Sequence, residues 1–146
     1  MIFPADTDSG TIGSPRNETP RSLIVDDPSR NDTRPRLLDE ARLMKIQSQP
    51  GVIAVSAFYE GFPVQSVGNG DFEHVAALAE DFFRAGTKIA RDMGIGSVDQ
   101  LILETAGNKC IIAPCGDLSL CILTTADAQL GLIRVVLRSI QKEVST

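Results

Sequence analysis

The 146-residue chain has no tryptophan, one tyrosine and six phenylalanines, so aromatics make up only 5% of it. That is too few for a surface that stacks bases or sugar rings. Histidine occurs once, at His74, and cysteine three times, which leaves few ligands for a metal cage. Basic residues are also short. Fourteen Lys and Arg face 19 Asp and Glu, giving a formal charge of −5 and a pI of about 4.8. A nucleic-acid binder needs a basic face to neutralise phosphates, and a polybasic membrane contact needs the same. Neither is expected. No apolar run is long enough to span a bilayer. Met1 to Pro15 lacks the basic start and apolar centre of a secretory signal, and Asp6 and Asp8 oppose a transit peptide. These absences suggest a cytoplasmic protein with no metal and no cofactor. What is present, 42% hydrophobic and 23% charged residues, suits a globular domain.

Composition changes near residue 34. Residues 1–34 hold four prolines (Pro4, Pro15, Pro20, Pro28), eight Ser or Thr and few large apolar side chains. Such a segment cannot offset its ordering entropy by burial, so it is expected to be a disordered tail. Residues 35–146 are expected to form one domain. The tail carries six acids and four arginines, the domain 13 acids and 10 bases. Leu23-Ile24-Val25 is an apolar triplet in the tail, most simply part of a linker.

Within the domain, Pro35 suits the first turn of a helix that Pro50-Gly51 ends, which places helix 1 at Pro35 to Ser48. Val52 to Phe58 is apolar except at Ser56 and reads as a strand covered on both faces. Glu60-Gly61 is a two-residue hairpin turn, and Phe62 to Val67 returns as an edge strand because Pro63 cannot donate to a ladder. Asp71 caps a long helix from Phe72 to Met93, which Gly94 stops. Two stripes run along this helix: Val75, Leu78, Phe82, Ile89 and Met93, and Ala76, Ala79, Phe83, Gly86 and Ala90. The small residues of the second stripe would let another helix approach closely. Either stripe is also what packing on the chain's own core would produce. His74, Asp81, Arg84, Lys88 and Arg91 occupy the remaining, wet arc.

Three strands follow as a meander: Val98 to Thr105, Lys109 to Cys115 and Leu118 to Thr124. The last is apolar on both faces and should be central. The first, with Leu101-Ile102-Leu103 and no proline, is an unguarded edge of the kind that usually finds a partner or a cover. If Gly116-Asp117 is the turn of the second hairpin, residue 112 faces 121. Cys110 and Cys121 then share a sheet face diagonally, and Cys115 points the other way. A final helix spans Asp127 to Val144, in which Gly131 suggests close packing on a neighbour. The order αββαβββα, with central strands buried on both faces, predicts an α/β three-layer α/β/α sandwich around a five-stranded, mostly antiparallel sheet.

Catalytic groups are hard to find. Gly86-Thr87-Lys88 has the wrong order for a phosphate loop and sits inside a helix. Gly68-Asn69-Gly70 precedes a helix N-terminus, but Asp71 and Glu73 would repel an anion there. No Ser or Cys is visibly paired with His74. Glu60, Glu104 and Asp117 lie at turns or strand ends, where carboxylates are ordinary. No catalytic residue and no enzymatic chemistry are expected from this chain alone.

Several stretches, in order, resemble the Roadblock/dynein light-chain family: Pro50-Gly51-Val52, the hairpin Glu60-Gly61-Phe62-Pro63-Val64, the helix segment Val75-Ala76-Ala77-Leu78-Ala79, and Leu123-Thr124-Thr125-Ala126-Asp127-Ala128-Gln129-Leu130-Gly131-Leu132-Ile133-Arg134. The resemblance implies the profilin-like, roadblock-like sandwich. It implies a homodimer, or a heterodimer with a paralogous roadblock chain, in which third strands pair across a two-fold axis and second helices lie side by side. The seam would then fall on Ala76, Ala79, Phe83, Gly86 and Ala90 with Leu101 and Leu103. The implied function is a platform or activator for a Ras-like small GTPase, with Asp81, Arg84 and Lys88 on the docking surface. The alternative is a structural light chain that scaffolds a larger assembly. An ordinary solvated helix face would carry the same three charges.

Overall fold

The computed structural model describes residues 34–145. The expected disordered tail, including Leu23-Ile24-Val25, lies outside the described residues apart from Arg34. The elements run α1 (Glu40–Gln47), β1 (Val52–Tyr59), β2 (Phe62–Gly68), α2 (Phe72–Met93), β3 (Leu101–Glu104), β4 (Asn108–Cys115), β5 (Leu118–Thr125) and α3 (Leu130–Val144). All neighbouring strands are antiparallel, in the order β2-β1-β5-β4-β3. β5 is therefore the central strand and β2 and β3 are the edges, as the apolar pattern and Pro63 required.

Helices cover both faces of the sheet. On one side Leu43 and Ile46 of α1 and Ile133, Leu137 and Ile140 of α3 pack on Val55, Ala57, Ile111, Leu120 and Ile122. On the other, Ala76 and Ala79 of α2 meet Phe58, Ile112 and Cys121. Val75, Phe82 and Phe83 of α2 are half-buried at the margins of that layer, so the helix contributes small side chains only at its centre.

Local chemistry explains the boundaries. The Asp71 carboxylate accepts from the His74 N–H at 3.3 Å, and Gly94 closes α2 in the left-handed region at φ 69°. The β1–β2 turn puts both central residues at positive φ, Glu60 at 51° and Gly61 at 85°. That twist suits a two-residue hairpin, but it is costly for glutamate. Just beyond, the ladder slips at Ala57/Phe58, so Pro63 sits at a bulge on an edge and removes little hydrogen bonding.

Three boundaries differ from the sequence reading. α1 starts at Glu40, not Pro35, because Asp39 is the N-cap. The segment before it is held extended: the Leu38 N–H donates to Gln65 Oε1, and Gln65 Nε2 donates back to the Leu38 carbonyl, both at 2.9 Å. α3 starts at Leu130, not Asp127. The Asp127 carboxylate accepts from Thr125 Oγ1 at 2.6 Å instead of capping the helix. β3 is four residues long instead of running from Val98. Continued in register, Asp99 would face Pro114, which has no N–H and whose carbonyl accepts from Gln141 Nε2 at 2.8 Å. At Gly131 a Cβ would meet nothing within 4 Å among the described residues, so the close packing expected there is not made by this domain.

Two of the motif stretches meet in space. The Thr125 N–H donates to the Gly51 carbonyl at 2.8 Å, and a Cβ on Gly51 would lie 2.7 Å from that of Ala128. Gly51 also has a φ of 90°. No other residue fits at that crossing, which locks the start of β1 to the turn between β5 and α3.

Candidate interaction surface

The sites predicted on α2 separate into three faces. Ala76, Ala79 and Ala90 are 0%, 3% and 8% exposed. Phe83 and Gly86 are half-buried, and a Cβ on Gly86 would lie 2.6 Å from a methyl of Leu101 in the chain's own β3. The small-residue stripe is thus taken up by the chain's own sheet. Ala76, Ala79 and Ala90 are therefore covered within one chain, while Phe83 and Gly86 stay partly open.

The other stripe is divided: Val75 and Phe82 are half-buried against the sheet, and its remaining members face outward. Leu78, Ile89 and Met93 are all more than half exposed, and Ala85 joins them. They occupy the flank of α2 that looks toward β3. Beyond the helix, Ile95 in the connecting loop and Leu103 on β3 are also exposed. Between α2 and β3 lies an apolar groove of about 400 Å³, lined in part by Phe82, Ile89, Ile95, Val98 and Leu101. Isolated exposed apolar side chains are normal, whereas an apolar strip along one flank is a candidate interaction surface. Leu103, on β3, is exposed beside this groove and Leu101 is half-buried beneath it. β3 itself pairs only with β4 among the described residues, which leaves its outer edge open.

The third face is charged. Asp81, Arg84 and Lys88 are exposed together on it. Two of them already have intrahelical partners: Arg84 Nε lies 3.1 Å from Glu80 Oε2, and Lys88 pairs with Asp92. The apparent basic patch of Arg84, Lys88 and Arg91 is therefore largely balanced within α2. Among the described residues, no group of three or more His, Cys, Asp or Glu is placed to hold a metal. No helix there is long and apolar enough to cross a membrane. His74 is exposed in the first turn of α2.

The β5–α3 junction carries one perturbed carboxylate. Thr125 Oγ1 and the Asp127 backbone N–H hold the Asp127 carboxyl below its usual range, at a fully exposed position. A shallow pocket of about 230 Å³ opens beside it, lined by Gly51, Ala128, Leu132 and neighbours.

Residues 39–124 match the model of the Roadblock/LC7 domain. The chain belongs to the Roadblock/LC7 family. An uncharacterized protein of Methanocaldococcus jannaschii, MJ1340, is 31% identical over 80 residues, which are 55% of this chain and 70% of that protein. In fold, the chain is similar to a Roadblock/LC7 domain from Streptomyces avermitilis, with a TM-score of 0.67 at 20% identity over 75% of this chain and 96% of that one. It is likewise similar to MglB of Myxococcus xanthus, with a TM-score of 0.65 at 19% identity over 71% and 89% of the two chains. The Roadblock/LC7 order of elements and the antiparallel sheet are those expected from the motif stretches.

The sequence reading missed which stripe of α2 is free. With Ala85 included, Val75, Leu78, Phe82, Ala85 and Ile89 alternate three- and four-residue steps, the spacing of helices packed side by side. Ala76, Ala79, Phe83, Gly86 and Ala90 have the same spacing, so spacing alone could not separate them. Side-chain size was the usable signal. Directly over Phe58 and Ile112 the helix needs small residues, Ala76 and Ala79, while Val75, Phe82 and Phe83 pack at the margins and Leu78, Ile89 and Met93 stay exposed.

Proposed function

We propose that this Roadblock/LC7 chain works as a non-enzymatic dimer that binds and modulates a Ras-like small GTPase. Its first partner is a second copy of itself or a paralogous roadblock chain. The observation that supports this most is the exposed apolar flank of α2 running beside the open edge of β3. Pairing of two β3 edges across a two-fold axis would continue the sheet. It would also bring the two flanks of Leu78, Ile89 and Met93 together, covering apolar surface that one chain leaves wet. The charged faces with Asp81, Arg84 and Lys88 would then stand side by side as one surface, available to the GTPase.

Modulation on this reading works through shape. Among the described arginines, Arg42, Arg84, Arg91, Arg134 and Arg138 lie within helices, and Arg34 and Arg36 lie in the segment before α1, where the Arg36 N–H donates to the Asp117 carboxylate. A partner of this kind acts by holding the GTPase's switch loops in a competent geometry. Its setting is the cytoplasm, where unpaired cysteines persist.

The test is a pull-down and GTP-turnover series with small GTPases from the same genome, each loaded with GTP or GDP. Binding that depends on the nucleotide, or a changed rate of turnover or exchange, supports the proposal. Stable capture of scaffold or motor subunits with no response to nucleotide would replace it with the light-chain reading.

A further inference from the structure

Three cysteines lie in the sheet, and two of them touch. Cys110 on β4 and Cys121 on β5 sit on diagonal positions of one face, with register pairs Cys110↔Leu123 and Ile112↔Cys121. Their sulfurs are 3.4 Å apart. Cys121 is nearly buried beneath α2, while Cys110 is partly open to solvent. Cys115 is buried on the opposite face, against α3.

We propose that Cys110 and Cys121 form an oxidation site, at which hydrogen peroxide closes a reversible disulfide between β4 and β5. The Cys110 thiolate attacks one peroxide oxygen, the O–O bond breaks, and hydroxide leaves to become water. Cys110 is then a sulfenic acid. The Cys121 sulfur attacks the Cys110 sulfur, and its proton departs with the hydroxyl as a second water. Two electrons pass from the thiol pair to the peroxide.

The order of events follows from the surroundings. Cys110 is the less buried residue of the two, and the hydrogen bond from Cys121 holds its thiol below the ordinary range. The same hydrogen bond, together with burial, pushes Cys121 up, so it waits as the resolving thiol. Burial raises Cys115 to about 11, which keeps it inert and makes it an internal control. Diagonal neighbours in a sheet are roughly 7–8 Å apart at Cα, beyond the usual span of a bridge of about 6.8 Å, so closing the disulfide requires the two strands to move together and leaves it readily reduced. Cys110 is also the register partner of Leu103, so the bridge forms one strand away from the open β3 edge.

The full chain, exposed to hydrogen peroxide, is assayed by thiol count after denaturation, intact mass and peptide mapping. The expected product has lost two of its three thiols and two hydrogens of mass, links Cys110 to Cys121, and returns to three thiols with dithiothreitol. In Cys110→Ser, thiol loss slows by about tenfold or more. In Cys121→Ser or Cys121→Ala, dimedone traps the Cys110 sulfenic acid, and no internal bridge forms. Cys115→Ala still closes the bridge. Three intact thiols after an exposure that fully oxidises glutathione would overturn the proposal. So would a bridge between two chains, or equal rates in the wild type and Cys110→Ser.

Discussion

Ala76, Ala79 and Ala90 lie against the sheet, while Leu78, Ile89 and Met93 of the same helix face outward. The two sets have nearly the same helical spacing and are one residue out of step. Their difference shows that periodicity defines a face, and that side-chain volume decides which neighbour the face can accept. The buried face of α2 is small because Phe58 and Ile112 fill the layer from the sheet side. The exposed flank is large because no part of this chain covers it among the described residues.

This comparison can be broken most severely from the buried side. Ala76→Leu forces a large side chain under α2 where nothing can yield, and it should cost about 3 kcal/mol in urea unfolding. Ala77→Leu, one residue along and exposed, should stay within about 0.5 kcal/mol. Equal effects would mean that α2 does not lie on the sheet by this face. Next in size is Ile89→Asp. It should leave the circular dichroism and unfolding midpoint of the isolated chain unchanged. It should weaken self-association by about a hundredfold, as expected for a central interface anchor. Leu103→Lys places a charge on the β3 edge and should weaken association by about tenfold, measured by analytical ultracentrifugation. A smaller gain is expected at the hairpin. Glu60→Asn, at a φ that asparagine tolerates better, should add about 0.5–1 kcal/mol of thermal stability. The smallest effect belongs to the charged face. Arg84→Ala and Lys88→Ala remove exposed ion pairs and should shift stability by no more than about 0.5 kcal/mol. A clear loss of GTPase binding in those same variants would separate a docking role from a solvated face.

Much of the fold was legible in the sequence. Asp71 and Gly94 mark both ends of α2 by capping chemistry that depends on single residues. Pro63 and the doubly apolar β5 fix the edge and the centre of the sheet. The diagonal contact of Cys110 with Cys121 follows from the Gly116-Asp117 turn and the two-residue period of a strand. The starts of α1 and α3 were not legible, because both depend on contacts distant in sequence. Gln65 holds Leu38 extended, and the end of β5, tied to Gly51, places Thr125 where it takes up the Asp127 carboxylate. The length of β3 was hidden for the same reason, since Pro114 limits it from the neighbouring strand. The interaction surface was only half visible. Its charged residues and its β3 edge could be named, but the choice between two stripes of equal spacing required knowing what lies beneath the helix.

The most direct measurement is the solution mass of the domain by light scattering at micromolar concentration, for the wild type and for Ile89→Asp. The wild type should have twice the mass of one chain, and Ile89→Asp the mass of a single chain with an unchanged circular dichroism spectrum. A wild type that stays monomeric, or an Ile89→Asp variant that still pairs, would show that the exposed flank of α2 is not where this protein meets its own copy.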